Sequence, residues 1–529
     1  MRKKNLIISC FLLLVATFTT LFISSCDKEE NSIDNSVNQT SSTAKQSEGL
    51  VVLGKQLEDP YAIKNMKLAY SNLKSTNSGA PDVDIKPTHY YLRFLPKNEE
   101  EWAILKSDTT FVLYDFPLDY EIEYFGTYYH DPSLPDTAIT YQYCVLQIGH
   151  DIPSIQNELL YEVYIPEVDE NENLKSSSAI NQFLIDLEYE SVWLTGNLTQ
   201  GEINLKSTQG IMGSLWTPKG TIIVWDNDLG WIPLVQASVH ARWFTHIETD
   251  LTNENGYFET SQFRYEVNYA IKWERADFDI RSGNWDQAWY SGPKQRGDWN
   301  LEIGQGGMSW IYAHIHRGAY IYYYANTYGI KTPPLDGGLL NQRIHIGAME
   351  NSGRSHYYDF NKFWLSPQIK IYAYTDAGNW ETGESIFGTT IHELAHASHW
   401  EIGYNYGQYV VDAIFSEPFL PESWAYGVES VITSNTYGNN WYQDQGIPLS
   451  SILGNGGYTP IVWDMIDNFN QRTNYGVAYP IDNVSDYSLT QLENALYNNN
   501  TWTSWRDAII NNYDNPSESY LNELFGNYK

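Results

Sequence analysis

Residues 389–400 read Thr-Thr-Ile-His-Glu-Leu-Ala-His-Ala-Ser-His-Trp, so His392 and His396 stand four positions apart with Glu393 between them. On a helix, residues i and i+4 leave one face about 6 Å apart along the axis, and both imidazoles can converge on one ion. Neutral imidazole is among the preferred ligands of zinc, which makes Zn2+ the expected cofactor. Glu393 can reach a water on the open side of such an ion and take its proton. The H-E-x-x-H pattern therefore predicts metal-assisted hydrolysis, with His392 and His396 as ligands and Glu393 as general base.

Two histidines leave the site short of a third protein ligand. His399 shares the face of His396 but lies about 10 Å along the axis from His392, so one ion does not take all three. It is expected to pack or to support a ligand. The extended motif with glycine at position 399 and histidine at 402 is not met, because the chain has His399 and Ile402 there. A glutamate from a following helix is the alternative. In Pro421-Glu422-Ser423-Trp424-Ala425-Tyr426-Gly427-Val428-Glu429, Pro421 suits a first helical turn. Glu422, Tyr426 and Glu429 then share one face, which gives a ligand at Glu422 neighbours that orient it. Its rival, Glu417, precedes Pro418, where the backbone is pushed out of helix. Glu422 is thus the expected third ligand. A phenol near the metal could donate to a developing oxyanion, but 42 tyrosines leave its identity open on these grounds, with Tyr458, just before a predicted helix over Ile461–Asn468, and Tyr426 as candidates. His314 and His316 do not share a helix face and are expected to be packing or surface histidines.

The pairing of His392-Glu393-Leu394-Ala395-His396 with the Glu422–Glu429 segment resembles the gluzincins, in particular the aminopeptidase-N-like group with its H-E-L-A-H helix and later E-G-F-A-x-x-x-E helix. That group carries a G-A-M-E-N segment whose glutamate holds the substrate's free amino terminus, and this chain reads Gly347-Ala348-Met349-Glu350-Asn351. The resemblance implies a zincin metallopeptidase, a hydrolase acting on peptides or proteins, with Glu350 as a substrate-binding residue and a catalytic tyrosine at Tyr458. It covers at most residues 300–470. Twenty-five residues separate His396 from Glu422, and Glu350 precedes His392 by 42 positions, both longer than the family's gaps. Taken by themselves, Glu350-Asn351-Ser352-Gly353 suggest a hairpin turn between a strand at 343–347 and one at His356-Tyr357-Tyr358. Endo- and aminopeptidase cleavage both stay open.

These residues need elements to position them. A length of 529 residues predicts three or four folded units at roughly 150 residues each. The first 25 residues read as a signal peptide: Arg2-Lys3-Lys4, an apolar run to Ile23, then Ser24-Ser25-Cys26. The ending resembles a bacterial lipobox, which implies lipidation of Cys26 and membrane attachment through it. Asp27-Lys28-Glu29-Glu30 look like the export signal of Bacteroidota lipoproteins, which implies an outer-membrane lipoprotein at the cell surface. Residues 26–85 are rich in Ser, Asn, Thr and Lys and read as a flexible tether.

The expected fold class is multidomain α+β. Residues 86–205 form a small α+β domain of unassigned role, with a strand at 90–94, a helix over 99–105 and a strand at 110–114. Residues 206–300 show short β-rich runs between Gly, Asp and Asn turns and predict a β-sandwich. Their order resembles the carboxypeptidase-regulatory, transthyretin-like domain. Residues 301–529 are the zincin-like catalytic domain, with helices over 308–328 and 383–400 and strands at 343–347 and 368–374.

Net charge is −33 at pH 7, a surface that repels phosphate backbones and excludes nucleic acid as a partner. Cys144 is the only cysteine beyond Cys26, so no intrachain disulfide framework is expected. A rival reading is a surface adhesin or glycan-binding lipoprotein in which the zinc site is structural. Glu393 argues against it, because a structural site needs no general base.

Overall fold

The structure is a computed structural model describing residues 49–528, except 109, 167–174, 199–214, 326–327, 334–335, 338–340, 358–366, 404–418, 439–446 and 455–457. Cys26 and the signal segment lie outside the described residues. The chain is mixed α+β with several separate sheets. Among the described residues, no helix is long and apolar enough to cross a membrane.

The N-terminal part contains β1 (Val52–Gln56), α1 (Ile63–Thr76), β2 (His89–Phe94), α2 (Glu99–Ser107), β3 (Tyr120–Tyr124), β4 (Gln142–Gln147), β5 (Asn157–Val163) and α3 (Lys175–Leu194). β2 is the centre of an antiparallel sheet in the order β4-β2-β5, and β1 pairs with β3. β1 and α1 fall inside the stretch expected to be tether. Polar composition there hides an apolar stripe: Met66 and Ala69 are buried in a cluster with Leu184 and Leu187 of α3. The strand expected at 110–114 is reduced to one rung. Tyr114 and Tyr143 exchange backbone hydrogen bonds, while Phe111 N and Val112 N turn back to the carbonyls of Asp108 and Thr110.

The middle part contains β6 (Lys219–Asp226), β7 (Gly230–Pro233), β8 (Ser238–Trp243), β9 (His246–Leu251), β10 (Tyr257–Glu259), β11 (Val267–Lys272), β12 (Phe278–Ser282), β13 (Asp286–Gln287), β14 (Trp289–Gln295) and β15 (Leu301–Ile303). One sheet has the order β10-β6-β15 with β7 also on β6, and the other β14-β11-β8-β9. β6 buries alternate residues, Ile222 and Val224 among them. Phe258 of the first sheet meets Tyr269 of the second edge-on at 6.1 Å. The topology does not divide at residue 300, however. β12 leaves these sheets and pairs in parallel with a strand beginning at Ile344. Such a pairing joins segments far apart in sequence, so no local pattern announces it.

The C-terminal part contains α4 (Met308–Tyr324), the short pair β16 (Asp336–Gly337) and β17 (Asn341–Gln342), β18 (Ile344–Ser352), β19 (His356–Tyr357), β20 (Ile369–Tyr374), α5 (Gly383–Gly403) and α6 (Phe419–Tyr437). Next come α7 (Leu449–Gly454), α8 (Ile461–Ile466), α9 (Gln471–Tyr475), α10 (Leu489–Leu496), α11 (Trp502–Asn512) and α12 (Leu521–Asn527). The five-stranded sheet has the order β13-β12-β18-β20-β19, parallel through its three central strands, with antiparallel edges at β13 and β19.

The hairpin suggested around Glu350 does not form. β18 continues through Ser352, and β19 pairs with β20 rather than with β18. Gly353 explains the crossing: a Cβ there would stand 2.4 Å from the Tyr372 ring, so the bare backbone passes over β20 instead of folding back.

Helix α5 packs against α4, α6 and the β20–β19 edge. A buried polar group ties α4 and α6 to β6: Arg317 Nη1 donates to Asp226 Oδ2 at 2.6 Å, and the Tyr437 hydroxyl donates to the same oxygen at 2.7 Å. The N-terminal part is tied to the sheet in a similar way. Arg281 of β12 makes a two-pronged pair with Glu99 of α2 at 2.6 and 3.0 Å, and Lys106 of α2 pairs with Asp279 of β12.

Candidate metal centre

Helix α5 places His392 and His396 on one face, with ring centroids 4.7 Å apart. Helix α6 packs alongside and brings Glu422, in its first turn, to both rings. Glu422 Oε2 lies 3.4 Å from each histidine Nε2, and the two Nε2 atoms lie 3.1 Å apart. Tetrahedral metal bonds of about 2.0–2.1 Å put ligand atoms about 3.3–3.4 Å apart, close to all three of these edges. His392, His396 and Glu422 would hold such an ion, and three protein donors would leave its fourth position for water or substrate. Glu422 Oε2 is buried yet has no hydrogen-bond partner, as expected of an oxygen shaped to face an ion. The residues therefore fit a tetrahedral divalent metal. Among the described residues, no other group of three His, Cys, Asp or Glu brings donor atoms within 4.8 Å of one another.

The electrostatics suit this arrangement. Burial raises Glu422, but the His396 and His392 rings facing its Oε2 outweigh it and hold the carboxyl well below the usual range. Glu393 behaves oppositely: burial raises it, and the Glu422 and Glu429 charges add to that against the pull of the two histidines. Glu393 is 2% exposed, and its Oε2 has no hydrogen-bond partner. A buried carboxylate with a free oxygen beside the triangle is placed to accept a proton.

Helix α6 supplies a second carboxylate. Glu429 Oε2 lies 3.1 Å from His392 Nδ1, and both side chains are almost fully buried. With Nε2 turned to the metal position, Nδ1 carries the proton and donates to Glu429, which fixes ring orientation and tautomer. The close approach of the helices depends on Gly388, where a Cβ would meet Glu429 Oε1 at 3.0 Å.

Tyr458 reaches the centre from the chain leading into α8. Its ring centroid is 5.9 Å from that of His392, and Tyr426 meets it edge-on at 5.7 Å. Ser423 holds this segment in place: its Oγ accepts from Thr459 N at 3.1 Å and from the Thr459 hydroxyl at 2.8 Å. Ser423 follows Glu422 and Thr459 follows Tyr458, so one contact couples the candidate ligand to the candidate oxyanion donor. Gly427 allows α8 to close on α6, since a Cβ there would clash with Val462 at 2.3 Å.

Other residues singled out by the sequence lie elsewhere. His399 is buried, and burial pulls it down to about 3, so it stays neutral. His314 and His316 of α4 contact the carbonyls of Trp225 and Val235 at 3.1 and 2.9 Å. Glu350 is exposed near the end of β18, an interior strand, where its charge helps raise the Tyr128 phenol. It does not join the metal donors. Glu417 lies outside the described residues. Sequence reasoning missed Ser423, Thr459 and Gly388; the small residues at 388 and 423 on the two site-bearing helices were the available signal.

No protein-family model matches the chain, and neither a curated protein nor a solved structure matches it significantly. The reading of the site rests on its own geometry.

Proposed function

We propose that this chain is a zinc-dependent metallopeptidase that hydrolyses peptide bonds, held at the outer-membrane surface through a lipidated Cys26. The observation that carries the reading is Glu393, a buried carboxylate with a free oxygen, set between two histidines that complete a tetrahedral half-site with Glu422. A purely structural metal site has no use for it.

Zinc held by His392, His396 and Glu422 would supply Lewis-acid polarisation of the scissile carbonyl and of the attacking water. Glu393 takes the proton from that water and returns it to the departing amine, a shuttle favoured by a carboxyl whose proton affinity burial has raised. Glu429 keeps His392 in the tautomer that offers Nε2. The Tyr458 hydroxyl donates to the carbonyl oxygen as it gains charge.

Metal analysis of the purified mature chain tests the reading. One zinc per chain is expected, lost when His392 and His396 are both replaced by alanine. Glu422→Ala should weaken affinity by roughly 10-fold or more. Absence of zinc from protein prepared without chelators would sink the proposal.

A further inference from the structure

Helices α5 and α6 run antiparallel, and their contacts follow in order along the pair. The Phe387 and Tyr437 rings meet edge-on at 5.6 Å, Gly388 faces Glu429 and Thr433, His392 pairs with Glu429, and His396 with Glu422. The near end of the pair, where α5 begins at Gly383 and α6 finishes at Tyr437, meets the turn that follows β6. The three candidate ligands lie about two to four turns further along.

Three consecutive residues of the middle part grip this end. Asp226 Oδ2, which takes Arg317 of α4, also accepts from the Tyr437 hydroxyl at 2.7 Å. Asn227 Oδ1 accepts from Gly383 N at 2.9 Å, across 156 positions in sequence. The first amides of a helix have no partner within it, and here one is met from outside while Thr382 Oγ1 takes Ser385 N at 3.1 Å. The Trp225 carbonyl accepts from Trp310 Nε1 at 2.7 Å and from His314 Nε2 at 3.1 Å. With Nε2 donating, His314 Nδ1 accepts from Arg317 Nη1 at 2.8 Å. Burial and the Arg317 charge pull His314 down to about 3, which keeps it neutral for that role. A Cβ on Gly383 would stand 2.5 Å from the His314 ring, so α5 starts flat against it. The turn is itself tied down. Asp226 Oδ1 accepts from Asp228 N and Leu229 N at 3.0 and 3.1 Å, and Asn227 Nδ2 donates to Gln305 Oε1 at 3.2 Å.

We propose that Asp226 and Asn227 are positioning residues for the metal centre, acting through α5 and α6 to set the spacing of His392, His396 and Glu422. The inference rests on the metal reading of those three side chains. Packed interiors transmit small displacements, so a shift where α5 starts or α6 ends reaches the ligands. Their donor atoms stand 3.1–3.4 Å apart, and metal bonds tolerate errors of only about 0.2 Å. A helix pair held to that spacing beforehand loses none of the metal's binding energy to ordering. The turn after β6 is then a component of the site, although it contributes no ligand.

Zinc affinity of the full chain, read by competition against a chromophoric chelator well below Tm, tests this, with thermal unfolding of the same samples. Tyr437→Phe keeps the ring on Phe387 and removes only the hydroxyl that reaches Asp226. Its affinity should fall about 10-fold, the lower limit for groups that support ligands. Asn227→Ala should lower it about threefold, because water reaches this exposed turn. Asn227→Asp keeps the acceptor at a helix N-terminus and should bind within about twofold of wild type. Tyr161→Phe is the control: it takes a hydroxyl from the buried Asp59 carboxylate of the N-terminal part, a 3.0 Å contact, and should lower Tm with zinc affinity unchanged. Should Tyr437→Phe fail to fold, the two Asn227 variants carry the comparison. Loss of global stability alone leaves the affinity of the folded chain intact. A lower Tm with wild-type zinc affinity in both Tyr437→Phe and Asn227→Ala therefore overturns the positioning role, as does an equal loss of affinity in Tyr161→Phe. A wild type that binds no zinc overturns the metal reading and this inference with it, whereas variants that match a zinc-binding wild type overturn this inference alone.

Discussion

Replacing Glu429 with glutamine should weaken metal binding while leaving all three ligands in place. The His392 Nδ1 to Glu429 Oε2 contact is 3.1 Å, and the two side chains are only 4% and 2% exposed, so water does not take over when it is lost. A hydrogen bond to a charged partner contributes about 1.5–3 kcal/mol, and at ~1.4 kcal/mol per tenfold that is about 10- to 100-fold in affinity. Glutamine keeps an acceptor oxygen without the charge and should fall near the lower limit, with Glu429→Leu near the upper one. Competition against a chromophoric zinc chelator reads the change, with far-UV circular dichroism confirming the fold. Gly388→Ala supplies a second arm. Its Cβ would stand 3.0 Å from Glu429 Oε1 and 3.3 Å from Thr433 Oγ1, so the carboxylate must shift by a few tenths of an ångström. That should cost affinity in wild type and add little in Glu429→Gln, a coupling visible in the double-mutant cycle. A zinc affinity for Glu429→Gln within twofold of wild type would refute the orienting role.

Two further outcomes are expected. Glu493 accepts from Lys331 N through both oxygens, and burial pushes it up to about 7. A carboxyl with a raised folded-state pKa binds more protons folded than unfolded, so its contribution to stability is full below about pH 4.5 and is lost as pH rises toward 7. Glu493→Gln should therefore stabilise the chain by about 1–3 kcal/mol at pH 8 and change little near pH 4, as read by urea unfolding at both values; an equal effect at both would contradict this. Glu350→Ala should leave any preference between free and acetylated peptides unchanged, because Glu350 lies exposed on an interior strand and outside the metal donors. A free-amine preference abolished by the mutation would show that it clamps the substrate's amino terminus after all.

The convergence at the centre was legible because its geometry is local. A four-residue spacing fixes His392 and His396 on one face, and Pro421 followed by Glu422 and Glu429 marks a second helix with a single carboxylate face. The link from Ser423 to Thr459 was not legible, since it joins α6 to the approach to α8 across 36 positions. Neither was β12, whose parallel pairing with β18 leaves no turn between them to read. Around Glu350, turn-forming residues suggested a hairpin, but the competing preference was Gly353 lying flat on Tyr372 and sending the chain across β20. In α1 the apolar stripe was outvoted by polar composition, and only its burial against α3 makes it a folded element.

Turnover of a peptide library by wild type and Glu393→Gln, both at matched zinc content, bears most directly on the central claim. Glutamine preserves size and leaves His392, His396 and Glu422 untouched, so zinc should bind as before. The expected result is cleavage by wild type and a loss of about 10²- to 10⁴-fold in the variant, the range for removing a general acid–base group. Equal cleavage by the two proteins, or no cleavage by wild type carrying its zinc, would contradict the account.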